Sequence, residues 1–119
     1  MYSPQLLDHF QHPRNSGLMD APDVSAQAEN PACGDVIKLM LRVSAEEITA
    51  VKYQVRGCVA AIACGSALTE FLLGKSFEQA AALRREQVLE AVGGLPSESM
   101  HASHLAMDCL KLALKQWKK

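Results

Sequence analysis

The stretch DVIKLMLRVSAEEITAVKYQVRGCVAAIACGSALTEFLLG, residues 35–74, decides the fold. Apolar and polar residues alternate from Asp35 to Val43 and again from Thr49 to Val55, and Ser44 to Glu47 supplies polar turn residues between them. This pattern predicts two half-buried strands that pair as a hairpin. The apolar run Val59 to Leu73 is too long for an ordinary strand and ends at a glycine, so it predicts a largely buried helix.

Helices are predicted on both sides of this stretch. Before it, Ser3 and Pro4 provide an N-cap and a first helical position for a short helix that ends at Pro13. The segment Asn15 to Asn30 is rich in Ser, Gly, Asp and Pro, and it predicts a loop or a weak edge strand. Downstream, capping residues and glycine stops predict three further helices: Ser76 to Leu83, Glu86 to Val92, and His101 to Trp117.

The last predicted helix has an apolar stripe and a basic end. Leu105, Cys109 and Leu112 recur at helical spacing, and we expect them to face the core. Four lysines crowd its C-terminal end, where the helix dipole favours positive charge: Lys111, Lys115, Lys118 and Lys119. Because the formal net charge of the chain is -1, we interpret these lysines as a solvated face rather than a nucleic-acid patch.

Composition narrows the class of protein. The chain has 119 residues, enough for one domain, and its order of strands followed by helices predicts an α+β fold with helices packed on one face of a small antiparallel sheet. With 12 basic and 13 acidic residues and 5% aromatics, neither a nucleic-acid nor a membrane partner is expected. The N-terminal sequence lacks a basic and apolar leader pattern, so we expect a soluble, cytoplasmic protein with reduced cysteines.

Four residues of metal-ligating type lie at the predicted ends of elements: Cys33, Asp35, Cys58 and His101. Cys58 begins the buried helix, where the positive dipole end is expected to lower the pKa of its thiol. Taken singly, each residue also has a purely structural interpretation, as a turn residue, a packed cysteine or a surface histidine. Their shared position at element ends predicts an open metal site, with His104 as a rival ligand to His101.

Several segments together resemble the IscU/NifU-type scaffolds of iron-sulfur cluster assembly. LLDHFQHPRNSG is similar to the family's opening helix and turn, and PACGDVIKLML to its first ligand loop and strand. GCVAAIACGSALTEFLLGKS resembles its second ligand loop and long helix, and LPSESMHASHLAMDCLKLAL its third ligand loop and closing helix. The resemblance covers nearly the whole chain and implies one scaffold domain over residues 1–119, built on a three-stranded sheet covered by helices.

By this resemblance, Cys33, Asp35, Cys58 and His101 fall on the family's ligand positions. The family's third cysteine follows the histidine immediately, and here that position is Ala102. A [2Fe-2S] cluster would then have an unusual Cys-Cys-His-Asp ligand set. The LPSES segment also departs from a proline-rich loop ending in lysine that a partner chaperone reads in the family, because the basic residue is missing.

The two remaining cysteines are interpreted as core residues. Cys64 lies six residues beyond Cys58, which in a helix places it about 9 Å farther along the axis and on another face. Only local unwinding at Gly65 would bring it back to the same ion. Cys109 lies two turns into the last helix on its apolar stripe, so burial is favoured there as well.

The resemblance implies a scaffold or carrier rather than an enzyme. It would bind iron and a nascent [2Fe-2S] cluster, receive sulfur from a cysteine desulfurase and pass the cluster to acceptor apo-proteins, with a homodimer as one arrangement. A rival hypothesis is a zinc-binding sulfur-relay protein in which the same four ligands surround zinc. A third is a regulatory binding protein with no stable metal, since one ligand position is already changed.

Overall fold

The computed structural model describes residues 2–32 and 34–118. Five helices and three strands are found in this part of the chain. In chain order, they are α1 (Pro4–Gln11), β1 (Val24–Glu29), β2 (Val36–Ser44), β3 (Glu47–Arg56), α2 (Val59–Leu72), α3 (Phe77–Ala81), α4 (Arg85–Ala91) and α5 (His101–Trp117). A short 3-10 turn, Ser97–Ser99, precedes α5. Within the described residues, no helix is long and apolar enough to cross a bilayer.

The three strands form one antiparallel sheet in the order β1-β2-β3. Strands β2 and β3 make the predicted hairpin, and its turn residues Ala45 and Glu46 have φ angles of 52° and 69°. Two successive left-handed residues match the right-handed twist of the strands they connect. The segment Asn15 to Asn30, predicted as a loop or a weak edge strand, contributes β1 at the sheet edge.

The helices cover one face of the sheet. Alternate residues of β2, including Ile37, Leu39 and Leu41, point to this face and are at most 1% exposed. Helix α2 packs against β3, and α5 packs against β1 and β2. This arrangement confirms the predicted α+β class with helices on one face.

Helix α2 is continuous past Gly65, where the ring of Tyr53 packs against it. A Cβ atom at residue 65 would lie 2.5 Å from Cε2 of Tyr53, so the glycine allows close packing between helix and strand. The Tyr53 hydroxyl donates a hydrogen bond to the Ile62 carbonyl at 2.8 Å. Gly65 therefore serves packing, and it does not mark a break that would redirect Cys64.

One predicted core residue is on the surface. Leu112 is 44% exposed, whereas Ala113 is fully buried beside Cys109. Cys109 Sγ donates to the carbonyl groups of Ala26 and Ile37 at 3.5 and 3.6 Å, so α5 lies close to the sheet here. A small residue fits this close approach and a leucine does not, which corrects the predicted apolar stripe.

Helix α1 is fixed to α2 through a buried histidine. Ser3 caps α1 by accepting a hydrogen bond from the Leu6 amide at 2.9 Å, as the sequence predicted. His9 is 6% exposed, and its Nδ1 lies 2.7 Å from Oγ of Ser66 in α2. Burial lowers the pKa of His9 below its usual 6.5, and the nearby charge of Arg14 lowers it further, while Glu70 opposes the shift.

This environment predicts a loss of stability in mild acid. The folded state favours the neutral His9 ring, so on acidification the unfolded state takes up the proton first. The contribution of His9 is therefore complete above pH 6.5 and is lost as the pH falls below that value. We expect the melting temperature of the wild type to fall more steeply between pH 7.5 and 5 than that of His9→Gln. Parallel curves in a thermal unfolding series would contradict this expectation.

Candidate metal centre

Three side chains meet where three elements begin. Asp35 directly precedes β2, Cys58 is the N-cap of α2, and His101 is the first residue of α5. Cys58 Sγ lies 3.2 Å from Oδ2 of Asp35 and 3.8 Å from Nε2 of His101, and the last two atoms are 3.4 Å apart. These three ligand atoms could therefore hold one metal ion together.

The hairpin register positions the first two of these residues. Val36 at the start of β2 pairs with Arg56 at the end of β3, so Asp35 and Gly57 lie side by side beyond the last pair. The Asp35 carbonyl accepts a hydrogen bond from the Asn30 amide at 2.8 Å, which holds its backbone to the edge of β1. The chain then turns into α2 at Cys58.

Two turns bring His101 to the same place. Gly93 and Gly94, with φ angles of 71° and 87°, reverse the chain after α4, and the 3-10 turn leads directly into α5. The side chain of His101 remains 31% exposed, whereas that of Asp35 is only 8% exposed. The group therefore has a buried oxygen ligand and an accessible nitrogen ligand.

The thiol of Cys58 is harder to ionise than its helix position suggests. Burial raises its pKa, and Asp35 raises it further as acceptor of the Sγ hydrogen bond and as a nearby negative charge. Backbone N–H groups of Ala61 and Ala60 at the start of α2 act in the opposite direction. The predicted lowering of this pKa is therefore wrong, because desolvation outweighs the helix N-terminus. A bound cation would stabilise the Cys58 thiolate, which offsets the cost of burying it, and would displace the thiol proton.

Sulfur, nitrogen and oxygen ligands at one point suit a borderline metal ion. Thiolate and imidazole are ligands for iron and zinc, whereas the carboxylate is a harder and weaker ligand for these ions. Among the residues that the structure describes, these three ligands leave room for at least one further ligand on a four-coordinate ion. The arrangement can therefore bind a metal and exchange a further ligand from solvent.

A family model described as the NifU-like N terminal domain matches residues 1–119. The chain belongs to this family. It is 44% identical over 114 residues to iron-sulfur cluster assembly scaffold protein IscU 1 of Archaeoglobus fulgidus, covering 96% of this chain and 74% of that protein. It is 38% identical over 121 residues to the iron-sulfur cluster assembly scaffold protein IscU of Escherichia coli K12, covering 98% and 94%. The resemblance seen in the sequence motifs is confirmed.

A solved structure agrees with the fold of this NifU-like domain. The N-terminal part of a nitrogen-fixing NifU-like protein from Brucella abortus superposes with a TM-score of 0.81. The two chains are 14% identical, and the match covers 98% of this chain and 93% of that one. At 14% identity, the comparison supports only the fold, a three-stranded sheet covered by helices. The candidate metal ligands are inferred from the geometry of this chain alone.

The structure describes three of the four predicted ligand residues of this NifU-like domain, and it brings these three together. Asp35, Cys58 and His101 converge, whereas Cys33 lies outside the described residues. His104 is exposed and is not part of the group, so it is not the rival ligand that its spacing suggested. Ala102, at the position of the family's third cysteine, is 1% exposed and belongs to the hydrophobic core.

The structure agrees with the core interpretation of the other two cysteines. Cys64 and Cys109 are both fully buried. Burial raises the pKa of each thiol to about 12, so neither forms a thiolate near neutral pH. Of the three cysteines that the structure describes, only Cys58 combines partial exposure with neighbouring ligand atoms.

Gly57 makes space for a candidate ligand of this NifU-like domain, and sequence reasoning missed this contact. A Cβ atom there would lie 2.6 Å from both Cγ and Oδ1 of Asp35. The missing side chain makes room for the carboxylate beside Cys58. Only its place directly before a candidate ligand could have indicated this role, because the contact is made with the neighbouring strand.

Gly57→Ala is expected to displace the Asp35 carboxylate and weaken metal binding. Changes around a metal ligand typically cost roughly 10–100-fold in affinity, and we expect a loss in this range. Titration of the metal-free protein with Co²⁺, followed by its visible absorption, measures the effect. Gly65→Ala is the matched control, since its clash with Tyr53 should lower the melting temperature without changing Co²⁺ affinity. Equal Co²⁺ affinity in Gly57→Ala and wild type would contradict the assigned contact.

Proposed function

We propose that this NifU-like domain, over residues 1–119, is a scaffold for iron-sulfur cluster assembly. It binds iron and a nascent [2Fe-2S] cluster as cargo at Cys33, Asp35, Cys58 and His101, and it transfers the cluster to acceptor proteins. The observation that carries the proposal is the convergence of Asp35, Cys58 and His101 within 4.8 Å of one another. Relatives named as assembly scaffolds, 38% to 44% identical over nearly the whole chain, support it.

The ligand set suits a cluster that has to leave again. Thiolates from Cys33 and Cys58 would supply most of the affinity, and the imidazole of His101 would add a borderline ligand. The carboxylate of Asp35 is the weakest of the four for a cluster iron. Because the His101 side chain is 31% exposed, an acceptor thiolate can approach the cargo from solvent. The site therefore favours temporary binding of a cluster over its permanent incorporation.

Sulfur has to arrive from a partner protein. The chemistry that fits is a cysteine desulfurase, whose persulfide transfers its outer sulfur to an attacking thiolate and leaves the donor cysteine as a thiolate. Of the described cysteines, Cys64 and Cys109 are fully buried, so Cys58 is the one that can make this attack. In this proposal the chain holds iron and sulfur as cargo for an acceptor protein, which is the role of a scaffold rather than an enzyme.

Anaerobic purification followed by quantification of metal and acid-labile sulfide tests this function. We expect iron and sulfide in similar amounts and visible absorption typical of a [2Fe-2S] cluster after reconstitution. A single colourless zinc that resists replacement by iron would instead support the sulfur-relay hypothesis. Protein that takes up neither metal would overturn the scaffold assignment.

A further inference from the structure

An apolar groove lies between α3 and the C-terminal half of α5, away from the metal centre. Its volume is about 700 Å³, and Phe77, Leu112 and Leu114 provide its apolar lining. Leu112 is 44% exposed, although its place in the sequence pattern predicted burial. An open groove of this size, lined by several large apolar side chains, can accommodate apolar side chains of a partner segment.

Three lysines line the same groove: Lys111, Lys115 and Lys118. They follow one another at intervals of four and three residues, so they lie on one side of α5. Asp108 is the single acidic residue among the groove-lining side chains that the structure describes. The groove is thus distinctly basic in a chain whose formal net charge is -1.

The aromatic side of the groove is already ordered. The Phe77 ring packs edge-on against Trp117 with 5.2 Å between ring centroids. The Lys118 ammonium lies 4.7 Å from the centroid of the same Phe77 ring, in a cation-π contact. Little side-chain freedom would therefore be lost when a partner binds against this end of the groove.

The groove and the metal centre belong to opposite parts of one helix. His101 begins α5, and Leu112 lies eleven residues later, about 16 Å along the axis at 1.5 Å per residue. A partner bound in the groove would leave the cargo accessible. A partner could therefore bind in the groove whether or not the metal centre is filled.

We propose that this groove docks an acidic, amphipathic segment of a partner protein. Apolar side chains of that segment cover Leu112 and Phe77, and its carboxylates pair with Lys111 and Lys115. Charge complementarity selects this occupant, because a basic segment would face the three lysines without compensation. The apolar contacts supply most of the affinity, and the charges supply orientation and rate of association.

Trp117, the single tryptophan of the chain, gives a direct readout of the groove. The probe is a synthetic helical peptide with leucines on one face and glutamates spaced by four and three residues beside them. A second peptide carries lysine at each glutamate position. We expect a saturable change in Trp117 emission with the glutamate peptide alone, weakening about tenfold or more as salt rises from low to near-molar concentration.

Variants of the exposed groove residues locate the binding. Leu112→Ser should weaken binding of the glutamate peptide by about tenfold, as expected for a central apolar contact. Leu18→Ser is the matched control, since Leu18 is 68% exposed and lies outside the groove. The double variant K111E/K115E should abolish the preference for the glutamate peptide, whereas K38E/K52E, on the sheet, should retain it. Circular dichroism verifies that each variant is folded.

The proposal is overturned by any of three results. Equal binding of the lysine and glutamate peptides would show that charge does not select the occupant. Unchanged binding by Leu112→Ser would show that the peptide does not bind in the groove. Concentration-dependent self-association that Leu112→Ser prevents, measured by sedimentation, would show that a second copy is the occupant. Since the peptide assay uses metal-free protein, its outcome is independent of whether the chain assembles clusters.

Discussion

Replacing Cys58 by alanine is expected to abolish retention of iron and of the reconstituted cluster. Cys58 supplies the sulfur atom of the described ligand group, 3.2 Å from Asp35 Oδ2 and 3.8 Å from His101 Nε2. Changes that only surround a ligand cost roughly 10–100-fold in affinity, so removal of a thiolate should exceed that range. Metal and sulfide content after anaerobic desalting measures the loss. We expect the same result for Cys33→Ala.

Buried cysteines provide the matched controls for this experiment. Cys109→Ala removes a thiol that hydrogen-bonds the Ala26 and Ile37 carbonyls inside the core. It should cost about 1 kcal/mol of stability and leave metal content near normal. Cys64→Ser should also retain metal, because Cys64 is fully buried in a continuous helix. Loss of metal in Cys109→Ala equal to that in Cys58→Ala would contradict the assigned site.

Most of the fold follows from local signals that the rest of the chain reinforces. The alternation in β2 and β3, the length of the α2 run and the cap at Ser3 each predict one element, and each element is present. Leu112 is different, because helical spacing from Cys109 allows either residue 112 or residue 113 to face the core. The close approach of α5 to the sheet selects Ala113, and this approach depends on contacts distant in the sequence.

The candidate site shows the same limit. Residue types and element ends indicated Asp35, Cys58 and His101, but only the packing of α2 and α5 on the sheet brings them within bonding distance of one ion. The predicted direction of the Cys58 pKa shift was wrong because it also depends on packing between elements distant in the sequence. A helix N-terminus is visible in the sequence, whereas the burial that outweighs it is not.

Burial also changes the interpretation of position 102. Ala102 is the second residue of α5, and an exposed position at a helix start would accept a cysteine at little cost in stability. Ala102 is instead 1% exposed and packed in the core, so a larger side chain has to displace its neighbours, typically at a cost of about 1–3 kcal/mol. The small side chain at this position is therefore matched to its surroundings.

Asp35→Cys is expected to make the cluster longer-lived and slower to leave. The Asp35 carboxylate packs against the bare backbone of Gly57, and a cysteine side chain is shorter, so the thiol fits the same space. A thiolate binds cluster iron more tightly than a carboxylate does. An increase of about 1.4 kcal/mol in ligation strength corresponds to tenfold, and we expect changes of roughly that size in both rates.

The transfer measurement follows the visible spectrum of a plant-type apo-ferredoxin after it is mixed with cluster-loaded protein under one reductant. Wild type should transfer faster than Asp35→Cys, whose cluster should decay more slowly when no acceptor is present. Asp20→Cys adds an exposed thiol outside the metal centre and should behave as wild type does, which separates ligation from non-specific thiol chemistry. Equal transfer rates in wild type and Asp35→Cys would show that release is limited elsewhere. The buried carboxylate would then have a structural role, as the hydrogen-bond acceptor of Cys58 beside Gly57.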